Sequence, residues 1–121
     1  MTSILNTVKK ALGLTDEYEF FDIDIILYIN TSFAVLTQLG AGPTKGFSIT
    51  SDAEEWEEFM EPGPTLELVK AFVCKRVQML FDPPQNGAFT EANKNAIDEL
   101  TFRISVAVDS DKTFAEEGGD D

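Results

Sequence analysis

TLELVKAFVCKRVQMLFDPPQNGAFTEANKNAID, residues 65–98, decides the fold. From Thr65, the expected cap, Leu66, Val69, Phe72, Val73, Val77 and Leu80 recur at intervals of three and four, the spacing of one helical face. Leu68, Ala71 and Met79 form a second, partial stripe. A helix apolar on nearly two sides is central in its bundle or is covered on one side by a neighbouring subunit. Asp82-Pro83-Pro84 ends it, because proline disfavours a helical residue before it and cannot continue the hydrogen-bond ladder. Thr90 is expected to cap the next helix, about Glu91 to Val106, with Ile97, Leu100 and Ile104 facing inward. Ala88 and Phe89 would staple its start. The stretch therefore predicts two helices joined by a stiff exposed corner, with no catalytic residue at that corner.

Working outward, the same rules give a small helical bundle of four to five helices. Ser3 caps a short helix over residues 3–12, in which Ile4, Leu5, Val8 and Leu12 share a face and Gly13 is the stop. Asp22 or Asp24 starts a second helix that Gly40 closes, with Ile25, Ile26, Ile29, Phe33 and Leu36 inward. GAGPTKG, residues 40–46, is turn-rich. Phe47–Thr50 alternates and reads as a short strand or an extended piece that packs Phe47 and Ile49 inward. Residues 52–61 read as a brief helix, capped by Ser51 or Asp52, with acids in its first turn and Trp56 and Phe59 on one face.

Composition limits function. With 121 residues the chain has the size of one domain. Ten phenylalanines are many for that size, so most belong to the core and some await a partner. Net charge is −13. The last thirteen residues, DSDKTFAEEGGDD, hold six acids and one base, which leaves −8 on residues 1–108. The chain is thus read as a domain over 1–108 and an acidic C-terminal tail over 109–121, too poor in apolar residues to fold alone. So acidic a body lacks the basic patch that ordinary nucleic-acid binding and anionic membranes require.

Histidine is absent, which removes the commonest general base and metal ligand and every Ser-His-Asp or Cys-His arrangement. The single Cys74 excludes an internal disulfide and falls in an apolar helical pattern, where it reads as a small core residue. Glu54, Glu55, Glu57 and Glu58 meet at helical spacing, yet no glycine-turned Asp loop accompanies them, so they read as a solvated face and not a calcium site. No phosphate-binding loop, signal peptide or membrane span is visible. No cofactor and no enzymatic activity are expected, and the reading is a soluble protein of a reducing compartment.

The order and phrasing of the chain resemble a known family. ILNTVKKALGL is followed by FDIDIILYINTSFAVLTQLGAGP, a Trp-x-x-Phe in an acidic segment, LVKAFVCKRVQMLFDPP and NAIDELTFRI. Together these resemble the head–tail connector, or adaptor, proteins of tailed bacteriophages over about residues 3–106. The resemblance implies a helical bundle whose copies form a homo-oligomeric ring, usually twelve-fold, below the portal protein in the virion neck. Such a ring extends the channel through which DNA passes, without binding it specifically, and supports the next neck, stopper or tail protein.

On that reading Asp82, Pro83 and Pro84 are candidate partner-binding residues, since a preorganised edge loses less entropy on binding. Phe114 is the candidate anchor of the tail in a partner's pocket, with Glu116 and Glu117 at its rim. Glu54, Glu55, Glu58, Glu91, Asp98 and Glu99 are the candidates to face the channel, because an acidic wall does not trap phosphates. Two rival readings stay open: an acidic phage-encoded DNA mimic or inhibitor, and a small helical regulatory protein. The mimic needs carboxylates along one continuous stripe, whereas the acids here cluster at 52–61 and in the tail.

Overall fold

Ser3 opens the first helix. In the computed structural model, which describes the backbone of residues 2–83 and 85–119 and the side chains of 2–83 and 85–110, its hydroxyl accepts the Asn6 amide at 3.2 Å. This satisfies one of the donors left bare at the start of α1 (Ile4–Ala11). At the other end the amides of Gly13 and Leu14 fold back onto the carbonyls of Lys10 and Lys9, at 3.0 and 2.9 Å. α2 (Asp22–Gln38) ends the same way, with Gly40 and Ala41 donating to Thr37 and Leu36 at 3.0 and 2.9 Å. Both glycine stops stand where the sequence put them.

The helix starts differ more. Neither Asp22 nor Asp24 caps α2. Asp22 is its first residue, Phe21 precedes it without a side-chain cap, and the Asp22 carboxylate is turned to Lys9 instead. α3 is only one turn, Trp56–Phe59, and neither Ser51 nor Asp52 caps it. Glu55 does so, in a reciprocal arrangement in which the Glu58 carboxylate accepts the Glu55 amide at 2.7 Å. α4 (Pro64–Phe81) begins one residue before Thr65, because proline at the first position needs no amide partner and already holds a helical φ. α5 (Gly87–Gly119) begins before Thr90 and runs past Val106. Asn86 supplies its start: its side chain accepts the Ala88 amide at 2.8 Å and its carbonyl accepts the Thr90 amide at 3.0 Å. Phe89 is 65% exposed and staples nothing.

The fold is all-α, and no strand forms among the described residues. Their sole ladder contact is an isolated antiparallel bridge between Ser3 and Glu55. Phe47–Thr50 is extended but has no neighbouring strand. Its pairing comes from a side chain: Asn30 of α2 accepts the Ile49 amide at 2.8 Å and donates to the Ile49 carbonyl at 3.0 Å. This places Ile49 in the core and leaves Phe47 half-buried, packed edge-on against Phe33 at 5.0 Å.

α4 is the hub. It packs against α1, α2 and α5, while α2 and α5 scarcely touch each other. Leu66, Val69, Phe72, Val73 and Val77 are buried along it, as the stripe predicts, whereas Leu80, the last residue of that stripe, is 42% exposed near the helix end. The second stripe is not covered in the same way: Ala71 is exposed, and Leu68 and Met79 are half-buried. Phe33, Phe47, Trp56 and Phe59 build an aromatic cluster at one end of the core. The fully buried Trp56 indole donates to the Thr7 hydroxyl at 3.1 Å, and that hydroxyl donates on to the Ser3 carbonyl at 2.7 Å. The relay pairs the one polar atom of an otherwise apolar side chain.

Candidate functional site

The corner between α4 and α5 is exposed. Asp82 donates its amide to the Gln78 carbonyl at 2.9 Å and so closes α4, leaving its side chain and Pro83 in solvent. Pro84, the third candidate there, lies outside the described residues, as do the side chains of Phe114, Glu116 and Glu117.

The acids proposed for a channel divide into two groups. Glu54 is half-buried and holds a turn. Its carboxylate accepts the amides of Thr50 and Ser51 at 2.8 and 3.2 Å and the Thr50 hydroxyl at 3.0 Å. Partial burial pushes its pKa up, but these hydrogen bonds outweigh that and leave it below the usual glutamate range. Glu55 and Glu58 are engaged in capping α3. Glu54, Glu55 and Glu58 therefore organise local backbone, which the sequence spacing did not reveal. On α5, Glu91, Asp98 and Glu99 are all exposed, and Glu99 accepts from Arg103 at 2.9 Å.

Lys9 is a functional oddity that composition concealed. Lysine is among the residue types least often buried, yet Lys9 is 1% exposed. Its ammonium donates to the Asp16 carbonyl at 3.0 Å and lies 2.9 Å from Asp22 Oδ1. That oxygen makes no aligned hydrogen bond, so the contact with Asp22 is chiefly coulombic. The ion pair ties the connector after α1 to the first turn of α2. Its amphipathic stem gives the sequence signal that was available: Lys9 follows Val8 and Leu5 on the buried side of a very short helix.

The most distinctive surface is apolar. Phe20, Ile23 and Leu27 are 79%, 84% and 58% exposed, the last two one turn apart on the outer face of α2. On α5, Phe102 and Val106 are likewise solvent-facing and, with Leu68 of α4, line an open groove of about 540 Å³ edged by Glu99 and Arg103. Neither flank was singled out from the sequence, because Ile23 and Phe102 lie off the periodic stripes by which core residues are recognised.

The described residues thus form a helical bundle in which α4 packs against α1, α2 and α5, with apolar flanks and an exposed corner. Among the described residues there is no acidic or thiol cluster placed to hold a metal, and no helix is long and apolar enough to cross a membrane. Residues 4–111 match the family model described as phage connector protein. That span covers most of the 121 residues, so the chain belongs to the phage connector family. Comparison with curated proteins and with solved structures gives no match.

Proposed function

We propose that the protein is a structural component of the virion neck that joins head to tail. Copies form a twelve-membered ring beneath the portal protein, continue the DNA channel and seat the next neck, stopper or tail protein. Family membership over residues 4–111 carries this reading. The exposed apolar flanks of α2 and α5 support assembly, and the absence of histidine supports a structural rather than catalytic role. The exposed Glu91, Asp98 and Glu99 of α5 are better suited to line the channel than Glu54, Glu55 and Glu58, which are occupied in holding backbone. That occupation also counts against a DNA mimic, whose carboxylates must stay free to stand in for phosphates. Asp82, Pro83 and Pro84 serve as a preformed edge for a neighbouring protein, and Phe114 with Glu116 and Glu117 as a docking tail.

Electron microscopy of particles made without this protein tests the proposal. Full heads and free tails that fail to join are expected; normal joined particles would overturn it. Replacing Glu91, Asp98 and Glu99 by lysine should slow DNA ejection from otherwise normal particles, and unchanged ejection kinetics would remove these acids from the channel wall.

A further inference from the structure

The connector before α2 and the first turns of that helix join an apolar surface to charge of one sign. Tyr18, Phe20, Ile23 and Leu27 are all exposed. The rings are held in place: Phe20 stands edge-on to Phe21 at 4.8 Å and stacks with Tyr18 at 6.4 Å, and Phe81 of α4 holds Phe21 edge-on at 5.1 Å. Asp16, Glu17, Glu19 and Asp24 lie in the same stretch, all exposed, and none of their carboxylates is in an ion pair among the described residues. No Lys or Arg occurs between residues 11 and 44. Asp16 and Glu19 also border, with Asp52 and Ile23, a recess of about 340 Å³ whose one cation, Lys9, is already paired with Asp22. Such a surface is complementary to a cationic partner.

A second copy does not supply that charge. Lys70 pairs with Glu67 at 3.2 Å and Arg103 with Glu99 at 2.9 Å, and Arg76 donates to the hydroxyls of Thr31 and Ser32 at 2.8 and 3.1 Å. Lys10, Lys45, Lys75 and Lys94 are spread over α1, the 40–46 turn, α4 and α5, and Lys112 lies outside the described side chains. Among the described residues the chain therefore has no cationic patch to place against another copy. Resting on the neck reading above, we infer that residues 16–27 dock a different neck protein, one that presents arginine side chains around an apolar patch. Guanidinium suits both parts of the surface, because its plane lies over aromatic rings and its N–H groups pair with carboxylates. Tyr18 and Phe20 receive it, and Glu17 and Glu19, which flank Tyr18 in the chain, neutralise it. Ile23 and Leu27, one turn apart on α2, meet the apolar part.

Fluorescein-labelled hexa-arginine, followed by anisotropy in about 0.15 M salt, probes the chemistry. Glu17→Gln with Glu19→Gln should weaken its binding about fivefold. Glu91→Gln with Asp98→Asn removes the same charge from α5 and should change binding less than about twofold. Tyr18→Gln with Phe20→Gln leaves the charge unaltered and should also weaken binding about fivefold, by removing the rings. All these positions are exposed, and thermal melting checks that each variant is folded. An α5 variant as weak as the Glu17–Glu19 variant would mean that net charge alone recruits the peptide, which overturns the site. A ring variant that binds like the wild type also overturns it. In particles made without this protein, wild type supplied in trans should restore joining of heads to tails, and the ring variant should not. A ring variant that restores joining fully overturns the docking role and leaves the connector reading standing. Joining that never needed the protein overturns the connector reading, and the docking role falls with it.

Discussion

Asn30 performs at one position what a β-strand performs over several. By meeting both the amide and the carbonyl of Ile49 it gives an extended segment its only described cross-chain pairing and holds Ile49 in the core. Asn30→Ala removes both hydrogen bonds and should destabilise the protein by about 2 kcal/mol, with bare polar groups as the main cause. Asn30→Asp should be at least as harmful at neutral pH, because a carboxylate oxygen then faces the Ile49 carbonyl. That variant should regain stability in acid, where the protonated carboxyl donates again. Urea unfolding midpoints at two pH values check both expectations.

Glu54 adds a pH dependence of known sign. Its folded pKa lies below the ordinary value, so its contribution is complete above the glutamate range and is lost as pH falls through the folded value. Glu54→Gln should cost about 1 kcal/mol at pH 7, a figure reduced for solvent screening, and the gap to wild type should close in acid. A gap that persists at low pH would mean the carboxylate charge plays no part.

Among the elements, the 40–46 turn and α4 yield the clearest expectations. Gly42 has φ +75°, and a Cβ there would strike the Phe59 ring; Gly46 has φ +91° but open space around it. Gly46→Ala should thus cost only the backbone penalty, about 1 kcal/mol, and Gly42→Ala should cost more, since Phe59 must also move. Equal losses in thermal unfolding would contradict the packing argument. Within α4, burial pushes the Cys74 thiol up to about 11, although Lys70 nearby pulls slightly the other way. Alkylation of the folded protein should therefore stay slow through pH 9, where an exposed thiol already reacts.

These elements also mark how far the sequence could be read. The stripe of α4, the glycine stops of α1 and α2 and the Ser3 cap were legible because each depends on neighbours within four residues. The start of α5 was misread because Thr90 was taken as the cap, whereas Asn86, a capping residue at least as good, stands just before Gly87, where the helix begins. The true use of Glu54 was hidden because its partners precede it in a turn, not in the helix the acids suggested. The partner of Lys9 and the exposed flank of α2 depend on tertiary placement, of which the sequence carried at most the position of Lys9 on the buried side of α1.

For the whole molecule, charge and shape pull in opposite directions. The net −13 opposes association over distances longer than about 10 Å at 0.1 M salt, while the apolar flanks attract only at contact. Raising ionic strength from about 0.01 to 0.15 M should therefore strengthen self-association, visible as a larger sedimentation coefficient. Weakening with salt would mean that attraction between opposite charges outweighs the net repulsion. The central position of α4 has a further consequence, for the order in which the protein is made. During synthesis α1 and α2 leave the ribosome before the helix that covers them both, and they share few contacts of their own. A nascent chain arrested after Pro62 has no hub to condense upon and should remain open to proteases. Protection should appear only after the residues through Phe81 have cleared the exit tunnel, so this domain is completed late in translation and in one cooperative step.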